Sequence, residues 1–389
     1  MSRTLGALLV GLLLAPTAVS AAVPGAERVE LLVMFEEHTG AATHARLHGL
    51  TGASVIGRLP EVNVDHITVP FSAISVYEGA PGVVAVEEPR TYRVMGRPND
   101  PLVPEQWGLR KLDAFKAWKI EDAKKSGVTV AVLDTGVDGT HVDLEGRVLE
   151  GFDYLELDEN TYDDNGHGTH VAGIIAANVG NRTGVAGLAP GTSIIPMKVC
   201  EAMGTCSLPA ILAGAVDSTR RGADVINMSL GGAGQCSVIE QAVFDWIWGQ
   251  GTVVVASAGN HAEDGNPPVA PANCDHTIGV GATDPKNKKA AFSSFGGWVD
   301  IAAPGVDIWS TMPPLVTITS THIGYASASG TSMAAPFVAA AASLVKARHP
   351  EWTPDRIERK LLSTAKDLGP KGRDDKFGRG LLNLVGALR

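Results

Sequence analysis

The strongest regularity along the chain is a series of short apolar runs, each followed by a segment with helical spacing. "GVTVAVLDTG", "TSIIPMKV", "ADVINMSLGG" and "TVVVASAGN" are rich in Val and Ile, while "HVAGIIAAN", "LPAILAGAVDSTRRG" and "SVIEQAVFDWIWGQG" place apolar residues on one helical face. Strands stay apolar throughout when neither face meets water, so the pattern predicts a parallel sheet covered by helices on both faces, an α/β fold. In such sheets functional groups collect at the carboxyl ends of the strands. Asp134 after "VTVAVL", Ser229 after "ADVINM" and Asn260 after "TVVVASAG" stand at such ends.

The segment from Glu27 to Met95 reads as a small α+β unit of its own. "RVELLVMF" and "GVVAVEEP" predict strands and "AATHARLHGL" a helix between them. The Pro-, Gly- and Asn-rich stretch "MGRPNDPLVPEQWG" reads as a linker or arm, which sets a boundary near residue 95. Ahead of it, Arg3, the apolar run Leu5 to Leu14 and the small residues around Ala21 have the form of a secretory signal peptide over residues 1–21. The run is too short for a membrane span, and no later segment approaches ~20 apolar residues. Export is therefore expected, with no membrane anchor.

Composition narrows the class. With 389 residues, 44% of them hydrophobic, the chain can build a large core, and a net charge of −10 with no basic patch argues against nucleic acid as a partner. In an oxidising compartment four cysteines pair: Cys200 with Cys206 across "CEAMGTC", leaving Cys236 for Cys274. The alternative is four small buried thiols.

Three polar positions hold the chemistry. Asp134 ends an apolar strand, where a carboxylate is costly unless paired. His167 opens the helical stretch "HGTHVAG", three residues before His170. Zinc pairs on a helix use i, i+4 spacing with an intervening Glu, so His167 and His170 do not form one. Ser332 in "SASGTSMAAP" stands at a helix start, where it is either a simple cap or a hydroxyl in the positive field of the helix end. Its own N–H can donate to an oxyanion, and Ala334 and Ala335 leave room for a substrate chain.

"VAVLDTGVD", "HGTHVAG", "MSLGG", "ASAGN" and "GTSMAAP", in that order, resemble the subtilisin-like serine proteases from about Pro98 to Leu388. The resemblance implies a serine endopeptidase in which His167 is the general base, Asp134 orients it, Ser332 is the nucleophile and Asn260 donates to the oxyanion. It leaves His170 a packed structural residue. Ser229, Leu230 and Gly231 and the strand through Ala258 and Gly259 are expected to wall a mainly apolar primary pocket. "EDGNPPVAPANC" departs from the family there, so Val269 or Ala270 is expected to make it shallower.

The resemblance also implies an inhibitory propeptide over residues 22–95, cut near Met95, and a peptidase domain over 96–389. Its calcium ligands would be Asp100, Asp143, Asn181, Thr183 and the carbonyl-rich loop at Val179 and Val185, a set of hard oxygens. A glycan on the triplet "NRT" would conflict with that role for Asn181. Protein and peptide substrates, the chain's own propeptide as inhibitor and a monomer complete the expectation. A silent binding relative would lack the triad, and a processing enzyme for paired basic residues would show acidic pocket walls in place of "MSLGGAG" and "ASAGN".

Overall fold

The computed structural model describes residues 27–89, 98–121, 127–316 and 322–389. The leader expected over residues 1–21 and the cleavage point expected near Met95 lie outside them. The chain divides into two compact units, Met1–Met95 and Gly96–Arg389.

In the first unit β1 (Arg28–Phe35), β2 (Ser54–Leu59), β3 (Val64–Pro70) and β4 (Val83–Glu87) form an antiparallel sheet in the order β2-β3-β1-β4, accompanied by α1 (Ala41–Thr51) and α2 (Ile74–Glu78). Leu31, Val33 and Phe35 alternate along β1, as Ile67 and Val69 do along β3. Their common face packs with Tyr77 of α2 into a core. The apolar pattern finds β1, α1 and β4 but misses β2, which is exposed at nearly every position. It also misses β3, which buries a charge. Asp65 Oδ2 accepts from His44 Nδ1 at 3.0 Å and His48 Nε2 at 2.8 Å, so α1 is held to the sheet by a carboxylate as well as by apolar contact.

In the second unit β5 (Thr129–Asp134), β6 (Phe152–Asp153), β7 (Ser193–Lys198), β8 (Val225–Met228), β10 (Val253–Ser257), β12 (Ile278–Thr283) and β13 (Ile301–Pro304) form a parallel sheet in the order β13-β12-β10-β8-β5-β7-β6. Two small ribbons accompany it, β9 (Gly232–Ala233) with β11 (Val269–Ala270) and β14 (Ile308–Thr311) with β15 (Tyr325–Ala328). The predicted two-sided burial is present. Val130, Val132, Val253 and Val255 enter one core cluster, while Ala131, Leu133, Val254 and Ala256 enter the other.

The remaining helices are α3 (Trp107–Lys111), α4 (Ala114–Ala117), α5 (His167–Ala176), α6 (Leu208–Arg220), α7 (Val238–Gly249), α8 (Thr331–Arg348), α9 (Pro354–Thr364) and α10 (Leu384–Ala387). Residues of α5 and α8 fill the first cluster, and those of α6 and α7 the second. Ala334 and Ala335 are fully buried in the first cluster, so they face the core and leave no room for substrate. From β5 the chain moves outward through β6 and β7, then returns to the other side of β5 as β8. The strand order therefore switches between β5 and β8, where Asp134 and Ser229 lie.

The N-terminus of α5 lies hard against the end of β5 because residue 168 is glycine. A Cβ there would overlap the Gly136 carbonyl oxygen and come within 3.0 Å of Asp134 Cβ. Helix propensity alone favours alanine over glycine, so the close approach decides the sign. Gly168→Ala is expected to destabilise the fold by about 1–3 kcal/mol. Gly249→Ala, where nothing lies within 4 Å, should be neutral or stabilising. Denaturant midpoints of the two variants check this, and equal midpoints would contradict it.

Candidate active site

Each functional side chain is positioned by the end of an element. Asp134, the last residue of β5, has a side chain only 2% exposed, and its Oδ1 accepts from His167 Nδ1 at 2.7 Å and from the Thr135 N–H at 2.8 Å. His167 opens α5 and is about a third exposed, with its backbone N–H donating to Asn165 Oδ1. Burial opposes charge on this imidazole, yet the Asp134 carboxylate outweighs it and raises the pKa above the ordinary histidine value. His170 behaves oppositely. Fully enclosed, it is pushed down to about 4, and its Nε2–H donates to the Ile308 and Ala326 carbonyls, as expected of a packed structural residue.

A second buried carboxylate, missed in the sequence reading, organises the start of α5. Asp163 accepts from Gly166 N, Asn165 N, Thr169 N and the Thr135 and Thr169 hydroxyls. Its available signal was position, a carboxylate four residues ahead of a helix.

Ser332 stands in the first turn of α8, where no i−4 carbonyl serves its N–H. Pro336 has no N–H to give the Ser332 carbonyl, and Ser229 Oγ donates to that oxygen at 2.8 Å instead. The Ser332 hydroxyl donates to the Ser229 carbonyl at 3.0 Å, so residue 229 holds both ends of residue 332. Asn260 Oδ1 accepts from both the N–H and the hydroxyl of Thr331 at 2.9 Å. That fixes which way the amide faces, with Nδ2 directed away. A Cβ at Gly330 would lie 3.4 Å from Asn260 Nδ2 and 3.6 Å from Ser332 N, so the two donors border one space.

Asp134, His167, Ser229, Leu230, Gly231, Gly259, Asn260, His261 and Ser332 line one cleft of about 820 Å³. Ala258 does not join them. It is fully buried, its N–H donates to the Val280 carbonyl and its own carbonyl accepts from Trp298 Nε1. Val269 packs against both glycine walls, since a Cβ at Gly231 or Gly259 would lie 2.7 or 2.6 Å from its methyls, and Ala270 lines the cleft beside it. Both disulfides form, Cys200 with Cys206 and Cys236 with Cys274, and the first rims the cleft. Nothing in the cysteine spacing signals that placement. Asn165 Nδ2 ties this rim to α5 through the Ala202 carbonyl.

Away from the cleft, Asp100 and Asp143 are both bonded to the 179–185 loop. Asp100 accepts from the Gly180 and Asn181 amides, and Asp143 from Asn181 Nδ2 at 2.7 Å and Val185 N at 2.9 Å. Both are at most 2% exposed, and neither forms an ion pair with a lysine or arginine among the described residues. His141 beside Asp143 donates through Nε2 to the Gly324 carbonyl and accepts from Asp143 N through Nδ1. Burial raises the pKa of Asp143 above the usual carboxylate range. Among the described residues no cluster of three or more His, Cys, Asp or Glu side chains is arranged for a metal, so any ion here would depend on amide and carbonyl oxygens as well.

The subtilase family profile matches residues 125–380. A thermophilic serine proteinase of Bacillus sp. (strain AK1) is 36% identical, over 90% of this chain and 85% of its own length. Thermitase of Thermoactinomyces vulgaris is 44% identical over 64% of this chain and 85% of its own, and subtilisin DY of Bacillus licheniformis 40% identical over 73% and 98%. Among solved structures, a protease from Pseudoalteromonas arctica PAMC 21717 matches with a TM-score of 0.66 and 31% identity, covering 75% of this chain and 99% of that one. With the fold, the motif order and the relatives in agreement, the chain belongs to the subtilase family of serine endopeptidases.

Proposed function

We propose that this protein is a secreted, calcium-stabilised endopeptidase made as an autoprocessed precursor, with Asp134, His167 and Ser332 as its catalytic triad. The observation that carries the reading is the 2.7 Å bond from His167 Nδ1 to Asp134 in the same cleft as a serine at a helix N-terminus. Rotation about χ1 exchanges the Ser332 bond to the Ser229 carbonyl for one to His167 Nε2. His167 takes the hydroxyl proton as Oγ attacks the scissile carbonyl, and later gives it to the leaving amine. The Ser332 N–H and Asn260 Nδ2 receive the oxyanion. Substrate backbone pairs along Ser229–Gly231 and Gly259, and the apolar walls with Val269 behind them favour uncharged side chains of moderate size at the primary position and otherwise broad cleavage.

The first unit is read as the propeptide and intramolecular inhibitor. The 355 residues matched by the Bacillus AK1 proteinase are more than the second unit holds, so that similarity reaches into the first. Two disulfides support an exported protein, and among the described residues no helix is long and apolar enough to cross a membrane. A phosphonofluoridate is expected to label the parent at Ser332 and to leave Ser332→Ala unlabelled and uncut near Met95. Labelling elsewhere, or normal maturation of purified Ser332→Ala, would overturn the reading.

The pH dependence follows from the His167–Asp134 pair. Only neutral His167 accepts the serine proton, and its pKa is raised, so the acid limb of kcat/KM should lie above the ordinary imidazole value of ~6.5. In Asp134→Asn the raising charge is gone, and the limb of the residual activity should move to lower pH. A limb that stays in place would separate it from His167.

Calcium fits the donor set at Asp100, Asp143, Asn181, Thr183 and the carbonyls of Val179 and Val185. The support is a pair of buried carboxylates without a cationic partner. A bound ion there would supply the missing positive charge and tie the loop to the arm at Asp100. Chelation is expected to lower the thermal midpoint of the parent, with readdition of Ca²⁺ restoring it, and to leave Asp143→Asn unaffected. An unchanged midpoint in the parent would remove calcium from the account.

A further inference from the structure

The cleft does not end at the catalytic groups. It continues to a recess between α6 and α7 lined by Leu208, Ile211, Leu230 and Phe244, and there one carboxylate, Glu240, stands among apolar side chains. Glu240 is 8% exposed. Its Oε2 accepts from the Ser237 N–H at 2.9 Å while Ser237 Oγ accepts from the Glu240 N–H at 3.2 Å, a reciprocal cap on α7. Oε1 has no hydrogen-bond or ion-pair partner among the described residues, and it is not sealed in the interior. Among the described residues no lysine or arginine lines the cleft. Its other ionisable side chains are Asp134, bonded to His167 and Thr135, and the imidazoles of His167 and His261.

We propose that Glu240 makes this recess a subsite for a lysine or arginine side chain of the peptide substrate. A carboxylate in apolar surroundings is costly without a partner, and a substrate cation supplies one. The methylene stem of Lys or Arg packs on Leu208, Ile211 and Phe244 while its head donates to Oε1, as long cationic side chains do at apolar surfaces with a polar exit. Helix capping explains Oε2 and the choice of Glu or Gln at this position, but it gives no role to the second oxygen. The enzyme would thus be broad at its apolar primary pocket and charge-selective at a distance from the scissile bond.

The inference rests on the cleft being the substrate cleft of an endopeptidase, and the test separates the two. Quenched fluorescent peptides carry arginine, or its neutral isostere citrulline, at successive positions on either side of the scissile bond. In the parent, arginine should raise kcat/KM about tenfold or more over citrulline at one position, with the ratio falling as salt rises. In Glu240→Gln the ratio should drop to within about twofold, while citrulline peptides are cut as in the parent and the thermal midpoint holds, because Gln also completes the cap. A ratio near one at every position in the parent, or the same preference in both proteins, would overturn the subsite. Failure to cut any peptide together with no labelling of Ser332 would instead overturn the protease reading, and the subsite with it.

Discussion

The candidate active site depends on keeping the Asp134 carboxylate buried and bonded. A carboxylate with a side chain 2% exposed is tolerable only where donors replace water, and one of its oxygens, Oδ1, gathers His167 Nδ1–H and the Thr135 N–H. Oδ2 is buried without a partner among the described residues. The chain around it is arranged to make that cost bearable. Its backbone carbonyl accepts from Val199 and Cys200, which fixes the end of β5 beside the start of the disulfide loop. Thr135 then links Asp134 to Asp163, and Asp163 holds the first turn of α5. The imidazole is therefore set by a helix whose start is fastened to the strand carrying its partner.

On the other side of the cleft the same economy recurs with different chemistry. The Thr331 N–H at the start of α8 is capped by Asn260 from the strand end after β10, and Pro336 frees the Ser332 carbonyl to be held by Ser229 from the end of β8. Each of these bonds satisfies a backbone group that the helix cannot, and each also orients a side chain that faces the cleft. Structural satisfaction and the geometry proposed for catalysis are thus the same contacts, so a substitution at Thr331 or Ser229 would disturb both at once.

Four strands of the large sheet, β5, β7, β8 and β10, were legible because they are buried on both faces, so apolar runs such as "VTVAVL" and "TVVVAS" mark them; the short β6 and the Gly- and Ala-rich β12 and β13 were not read. The positions of Asp134, Ser229 and Asn260 followed from the rule that sites lie at strand ends. What was not legible depended on partners distant in sequence. β2 carries no buried stripe, and β3 hides Asp65, whose partners are His44 and His48 on α1 and Arg58 on β2, so neither looks like a half-buried strand. Ala258 was placed on the wall by motif, but its neighbour strand and Trp298 turn it into the interior. Ala334 and Ala335 read as space for substrate, whereas their smallness lets α8 pack against the sheet. Glu240 closes a capping box at the start of α7, and only the three-dimensional position of that helix brings it to the cleft.

The central claim is that Asp134 holds His167 with its proton on Nδ1. Histidine-selective ¹H–¹⁵N spectra of the ¹⁵N-labelled, substrate-free protein test it most directly. The account predicts a strongly deshielded, exchange-protected Nδ1 proton on His167 in the parent, and its loss in a folded Asp134→Asn variant. A neutral His167 protonated on Nε2 in the parent, or a signal unchanged by Asp134→Asn, would contradict it.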